Sequence, residues 1–242
     1  MRFLTHCRVC QGTDLGPWLD LGSQPLANAL RDDPGTAQRT YPLVVVRCQR
    51  CHHSQLSVVV DKHQLYDEYP YRSGVSESFR RHCQSVVETA LKWSGGPSRR
   101  VLDIGANDGT LLNAFDQVDD TSLTGIEPAK SLVDIMDQSG IRAIRGFFPD
   151  DCPTQESWDV ITSLNVLGHQ DDAFDFVSTI ADRLTDRGVW VCEVPWLGEL
   201  LQTTAFDTIY HEHLSYFALH AFLELVEYQC VLKVGDVMAV PI

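Results

Sequence analysis

The sequence predicts an α/β chain in which a parallel, doubly wound sheet follows a small β-rich module. Three observations carry this. The stretch VLDIGANDGTLL at residues 101–112 reads as a buried strand that breaks into a glycine turn and then opens a helix. Strand-like and helix-like segments alternate after it, which implies parallel strands joined by right-handed crossovers. Ahead of it, two Cys-x-x-Cys pairs bracket a run of short strand-like segments.

A chain of 242 residues holds one large domain and a satellite. The expected boundaries are 1–66 for the cysteine module, 67–98 for a helical linker with a polar loop, and 99–242 for the sheet domain. The net charge of −14 argues against a nucleic-acid surface, which needs a basic stripe, and equally against a polybasic membrane contact. With no apolar run that reads as a signal peptide or a membrane span, a cytoplasmic protein with reduced thiols is expected.

Cys7 with Cys10 and Cys48 with Cys51 have the spacing that lets both thiolates of one turn point at a single cation. Two such knuckles complete a tetrahedral zinc site. With no open position, that zinc is structural, and it lets about 50 residues fold around a small core. His52 and His53 adjoin the second knuckle and are expected to face solvent. Cys83, Cys152, Cys192 and Cys230 are scattered in apolar surroundings and read as inert core residues. Between and after the knuckles, residues 21–28 (LGSQPLAN) read as a short strand running into a Pro turn, and 41–46 and 55–60 as strands.

Residues 68–76 (EYPYRSGVS) gather Tyr69, Tyr71, Arg72 and Ser73. Hydroxyls beside an Arg suit a substrate pocket as well as they suit a linker that packs its rings. A helix is expected over 77–91, broken by the Gly-Gly-Pro run within 94–98.

In the glycine turn, Gly105 and Gly109 let a ligand approach the backbone, and the helix start offers free N–H groups. The turn is G-A-N-D-G, with Asn107 at its centre, and not the G-x-G-x-x-G of a pyrophosphate site. With Asp103 at the strand end, it suits a ligand that is cationic at one end and carries no phosphate. S-adenosylmethionine fits that description. Glu127 ends the second strand, where an acid grips ribose hydroxyls. The third strand, 143–150, ends in Phe147 and Phe148; one aromatic there can stack on adenine, although paired Phe residues are commonly core. The fourth strand, 158–169, ends in Asn165 and His169; a helix follows over 171–184, and the fifth strand, 186–197, ends at Glu193. Ligands gather beyond the carboxyl ends of parallel strands, so Asp103, Glu127, Asn165, His169 and Glu193 share one edge.

Residues 209–217 (IYHEHLSYF) are the most chemically loaded stretch, with Tyr210, His211, Glu212 and His213 in a row before a helix. His211 and His213 are too close for H-E-x-x-H, so acid–base chemistry is the better reading. An imidazole takes a proton at neutral pH, and a Tyr or second His donates to a developing oxyanion. A last strand is expected over 230–234, with a short piece at 236–240.

The knuckles, LGSQPLAN, EYPYRSGVS, the glycine turn, GIEP, GFF, NVLGH, EVPWL and IYHEHLSYF follow one another in a distinctive order. In that order the chain resembles the zinc-containing, S-adenosylmethionine-dependent sugar C-methyltransferases, which methylate carbon 3 of nucleotide-linked 4-keto sugars in deoxysugar biosynthesis. The resemblance implies a Rossmann-like class I methyltransferase sheet preceded by a small zinc-binding domain. It implies cofactor contacts from Gly105, Asn107, Glu127, Phe147 and Phe148, beside Asp103, Gly109 and Asn165 on the same edge. It implies zinc on Cys7, Cys10, Cys48 and Cys51, remote from the chemistry. His213 is then the general base, with Tyr210, His169 and Glu212 around the substrate and Tyr71 closing the pocket. The implied partner is a small-molecule nucleotide sugar. Family members usually continue into a second α/β domain, so the alternatives are a non-catalytic cofactor- and zinc-binding module or one subunit of a split enzyme, with a partner chain supplying the remaining domain.

Overall fold

The structure, a computed structural model, describes residues 1–33, 35–94, 99–116, 118, 121–230 and 232–238. The N-terminal module holds β1 (Arg2–Phe3), β2 (Leu15–Pro25), β3 (Thr40–Cys48), β4 (Ser54–Leu56) and β5 (Val58–Val59). β2, β3 and β4 are antiparallel neighbours, and β1 pairs with β5. Tyr41, Leu43 and Val45 alternate inward along β3, as the period of a half-buried strand requires. A short helix α1 (Lys62–Tyr66) and a polar loop then lead into α2 (Glu77–Ser94). α2 runs three residues past its expected end at 91, and the run expected to break it at 94–98 lies, beyond Ser94, outside the described residues.

The sheet domain takes β6 (Arg99–Ile104), α3 (Thr110–Phe115), β7 (Thr121–Glu127), α4 (Lys130–Gln138), β8 (Arg142–Arg145), β9 (Trp158–Leu164), α5 (Ala173–Arg183) and β10 (Leu184–Glu193) in order. Their spatial order is β10-β9-β6-β7-β8, all parallel. Successive residues of β6 face opposite layers. Leu102 and Ile104 join Ile161, Phe176, Val177 and Ile180 beneath α5, while Val101 joins Val160, Leu112, Phe115, Val86 and Ala90 beneath α2 and α3. The chain leaves β6 toward β7 on one side and later returns to β9 on the other, so the strand order reverses between β6 and β9. That switch point is where open α/β sheets bind ligands.

Beyond β10 come α6 (Leu197–Thr203), β11 (Ser215–Tyr216) and α7 (Leu219–Leu223), which runs into a wider π-type turn at Glu224–Gln229. β11 does not extend the parallel sheet. It pairs antiparallel with β4 and becomes the fourth strand of the N-terminal sheet, in the order β11-β4-β3-β2. No helix among the described residues is long and apolar enough to cross a membrane.

Four local expectations are corrected. The third strand stops at Arg145, because its ladder with β7 ends there; Asp151 then turns the chain by accepting the Phe147 N–H at 2.8 Å. The expected strand at 230–234 is irregular among the described residues: Cys230, Leu232 and Val234 pack on the core without a ladder. The piece expected at 236–240 forms no strand over 236–238, and its last two residues lie outside the described ones. His53 is buried, not solvent-facing, and bonds Ser215 Oγ at 3.1 Å, whereas His52 is exposed.

Candidate active site

At the carboxyl end of β6 the backbone turns through the left-handed region at Gly105 (φ 69°), Asn107 (φ 52°) and Gly109 (φ 76°). A Cβ on Gly105 would lie 2.7 Å from Val166 Cγ2, so glycine is required there by both torsion and space. The turn opens a cleft lined by Ser73, Phe79, Asp103, Gly105, Asn107 and Thr110. Asn107 Oδ1 accepts the N–H groups of Ser73 and Asp108 at 2.9 Å each, and its Nδ2 donates to the Tyr71 carbonyl at 3.0 Å. Asp108 Oδ2 accepts the Gly74 N–H at 3.0 Å. These bonds fasten the 71–76 loop over the glycine turn.

Asp103 is buried and accepts the Thr162 hydroxyl at 2.7 Å. Burial pushes its carboxyl up to about 7, against the help of that hydroxyl. Glu127 accepts the N–H groups of Asn107 at 3.0 Å and Ala129 at 2.9 Å, so its two oxygens already hold the turn and the start of α4. Burial still raises its pKa despite both donors.

The phenylalanine pair divides. Phe148 is 5% exposed and sits edge-on to Phe176 with ring centroids 5.1 Å apart, which makes it core. Phe147 lies at the edge, with Lys62 Nζ 4.4 Å from its ring centroid and His63 beside it at 5.1 Å. Asn165 (φ 57°) is exposed and donates its N–H to the Glu193 carbonyl at 2.9 Å.

A second cluster stands beyond the same edge. His213 Nδ1 is 2.7 Å from the Thr208 carbonyl and its Nε2 is 2.9 Å from the Tyr210 hydroxyl. A carbonyl only accepts, so Nδ1 carries the hydrogen and Nε2 presents a lone pair to Tyr210. His169 meets His213 edge-on at 4.9 Å, and its Nδ1 is 2.9 Å from the Tyr66 hydroxyl, which also reaches the Glu212 carbonyl at 3.3 Å. Burial, then the neighbouring His213, lowers His169 to about 3. Burial lowers His213 as well, against the bond to Thr208. Both rings are therefore neutral at pH 7.

The row at 210–213 sends its side chains in different directions. His211 is buried and faces the carbonyls of Tyr41 and Pro42 at 3.3 Å each, which makes it an anchor to β3. Glu212 receives both hydrogen bonds of Asn28 Nδ2, at 2.8 and 3.0 Å, and burial raises its pKa. Tyr210 and His213 alone join His169. Tyr71 is 51% exposed, with its ring 6.5 Å from Tyr69, which stacks toward Tyr66 at 5.9 Å. Burial raises the Tyr69 phenol, as do Glu212, Tyr210 and Glu127 in turn.

Tyr66, Asn28 and Thr208 were not singled out from sequence. Tyr66 opens the aromatic run that continues through Tyr69 and Tyr71, and Asn28 ends LGSQPLAN, so both lay in or beside conspicuous stretches. Thr208 contributes only a backbone carbonyl, which no residue type announces.

The four cysteine sulfurs converge within 4.8 Å of one another. Cys7 and Cys51 Sγ are 3.5 Å apart and Cys10 and Cys48 Sγ 3.6 Å, close to the edge of about 3.8 Å that Zn–S bonds of about 2.3 Å impose on a tetrahedron. Each knuckle closes alike: Gln11 N–H donates to Cys7 O and His52 N–H to Cys48 O, with Gln11 (φ 60°) and His52 (φ 59°) left-handed after the second cysteine. The donor set fits zinc, and the four thiolates would fill its coordination shell.

A family model described as "Putative zinc binding domain" matches residues 7–66, and one described as a methyltransferase domain matches residues 71–228. The C-methyltransferase NovU of Streptomyces niveus is 30% identical over 238 residues, 94% of this chain and 56% of that one. The chain thus spans about half the length of this curated relative. Among solved structures, the plantazolicin methyltransferase BpumL in complex with a monoazolic desmethylPZN analog and SAH superposes with a TM-score of 0.52. That match covers 62% of each chain at 18% identity. The YcgJ protein from Bacillus subtilis gives 0.51 over 62% of this chain and 68% of its own, at 19% identity. These two likenesses establish the parallel-sheet fold.

Proposed function

Because the chain belongs to the methyltransferase family whose model spans residues 71–228, we propose that it methylates the carbon next to the ketone of a nucleotide-linked 4-keto deoxysugar. The observation that carries this reading is His213. Its tautomer is set by Thr208, and its basic nitrogen is turned to Tyr210 at the edge that also holds the glycine cleft. The 30% identity to a C-methyltransferase supports carbon as the methylated atom.

Gly105, Asn107 and Glu127, with Asp103 beneath, would hold S-adenosylmethionine, and Cys7, Cys10, Cys48 and Cys51 the structural zinc. S-adenosylmethionine supplies a methyl group made electrophilic by its cationic sulfur. The acceptor's own carbonyl acidifies the neighbouring C–H. His213 Nε2 takes that proton once the Tyr210 hydroxyl turns from it to the ketone oxygen, where it stabilises the enolate. The methyl group that S-adenosylmethionine would supply would pass to the enolate carbon, and the proton would stay on His213 until product leaves. His169, neutral and edge-on to His213, adds no cationic charge that would resist protonation of that ring. Tyr66 and Tyr69, with ring centroids 5.9 Å apart beside His169, would pack against the acceptor and limit water around it.

The test follows solvent deuterium entering carbon 3 of nucleotide-linked 4-keto-6-deoxyhexoses, together with methyl transfer from S-adenosylmethionine. His213→Ala should slow deuterium entry at least about 100-fold. S-adenosylhomocysteine affinity should stay within about twofold, since His213 makes no contact in the glycine cleft. Wild-type exchange in that variant would remove His213 as the base.

A further inference from the structure

The segment that carries His213 is built onto the cysteine module and not onto the parallel sheet it serves. Ser215 and Tyr216 pair with Gln55 and Ser54, and the Leu56 N–H donates to the Leu214 carbonyl at 2.9 Å. A buried cation sits at this seam. Arg8 follows Cys7 inside the first knuckle, and its side chain is 0% exposed. Its Nη1 donates to the carbonyls of Leu56 at 3.1 Å and Leu214 at 3.3 Å, and its backbone N–H donates to Gln55 Oε1 at 2.9 Å. Its Nη2 is 3.5 Å from Asp171 Oδ1, two residues beyond His169. His53 and Tyr216 face the same seam, and Arg2 reaches Asp171 from outside.

Burying a guanidinium costs more than burying an apolar side chain of equal length. Among the described residues, Nε of Arg8 has no hydrogen-bond partner, and Nη2 meets the part-exposed Asp171 carboxylate only at 3.5 Å, so that cost is offset in part. What Arg8 does secure is the Leu214 carbonyl, in the residue directly after His213, and the strand edge that this residue pairs with.

We propose that Arg8 is a positioning residue: it ties the first zinc knuckle to the peptide beside His213, so that the zinc sets where that imidazole stands. The role given to His213 rests on the function proposed above, while the coupling itself does not. Metal and reacting centre then need no direct contact, since the knuckle, Arg8 and β4 form one continuous hydrogen-bonded path to residue 214.

The experiment is amide hydrogen exchange on the full zinc-loaded chain as wild type, Arg8→Met and Arg8→Lys, with zinc content, S-adenosylhomocysteine affinity and methyl-transfer kinetics measured on each. Arg8→Met should keep one zinc per chain and the wild-type affinity, while exchange at Leu56 and over 208–217 quickens at least about tenfold. Where an acceptor is turned over, kcat should fall by a similar factor with KM for S-adenosylmethionine unchanged. Arg8→Lys keeps one charged donor and should recover part of both losses. Chelating the zinc from the wild type should expose the same residues and leave β6 and β9 protected. Unchanged protection over 208–217, in Arg8→Met or in the zinc-free wild type, would overturn the proposal. So would loss of protection spread evenly over β6 and β9, since that is a general folding role. If the wild type methylates no keto sugar, the exchange results still decide the coupling, and the failure belongs to the proposed function.

Discussion

Replacing Asp103 with Asn should stabilise the protein, and by more as the pH rises. Asp103 ends the central strand, is 4% exposed, and has one hydrogen-bond donor in Thr162. Burial raises its carboxyl to about 7, with Glu127 adding to the effect. An Asp in the unfolded chain titrates near 3.9, so below that value both states are protonated and folding gains in full. As the pH rises, the unfolded chain releases its proton first, and the native state loses stability until its own carboxyl ionises near 7. Integrated, the loss is about 2 kcal/mol at pH 5.5 and about 4 kcal/mol at pH 8. Asn has no proton to release, and any change in its bond to Thr162 is the same at every pH. The advantage of Asp103→Asn over wild type should therefore grow by about 2 kcal/mol between pH 5.5 and 8. Urea unfolding followed by tryptophan fluorescence reads this as a widening gap between midpoints. The histidines whose pKa values burial lowers titrate in both proteins and cancel in the difference. Parallel stability curves would refute the reasoning, because they would mean that Asp103 ionises in the native state as it does in water.

Gly105→Ala places a side chain at φ 69° with its Cβ 2.7 Å from Val166. The left-handed torsion costs about 1–2 kcal/mol and the overpacking about 1–3 kcal/mol. Both the unfolding midpoint and S-adenosylhomocysteine affinity should fall, and a wild-type affinity would take the ligand away from this turn. Tyr66→Phe keeps the ring against Tyr69 and Phe147 but removes the bonds to His169 Nδ1 and the Glu212 carbonyl. Deuterium entry into the acceptor should slow about tenfold with cofactor affinity unchanged, whereas an unaltered rate would leave Tyr66 a packing residue. The acid limb of the pH–rate profile should lie below 6.5, because burial holds the His213 ring neutral to lower pH. A limb above 6.5 would contradict that environment.

What the sequence disclosed was local. The knuckles were legible because Cys-x-x-Cys is itself a turn geometry, and the glycine turn because Gly105 and Gly109 occupy torsions that other residues avoid. Of the five parallel strands, β6 and β9 announced themselves as apolar runs with polar residues at one end, whereas β8 is only Arg-Ala-Ile-Arg and its limits were set by pairing with β7. What escaped was set by pairing at long range. His53 reads as a polar residue in a surface turn, yet Ser215 comes from the far end of the chain to bury it. Residues 230–234 read as a strand, but Cys230, Leu232 and Val234 pack on the core and, among the described residues, pair with no strand. Phe147 and Phe148 look equivalent in sequence, and only the turn after Arg145 sends one into the core and leaves the other beside Lys62.

The row Tyr210-His211-Glu212-His213 shows why the site could be named from sequence but not assembled. Read along the chain it is one polar cluster, whereas in the fold His211 holds β3 and Glu212 holds Asn28. These two attachments, with β11 laid on β4, grip the segment on both sides of His213. The N-terminal sheet therefore helps to place the proposed reacting groups, because β11 is one of its strands. His213, the base in the proposed reaction, is thus held through the N-terminal sheet as well as through its contact with His169. Sheet and module must also be held to each other, and the contacts between them include the Tyr66–His169 bond and the Lys62–Asp150 ion pair at 2.5 Å. The acceptor binds between these two bodies in the proposed reaction, so a change in how they are held should alter turnover before it alters the affinity of either for its own ligand.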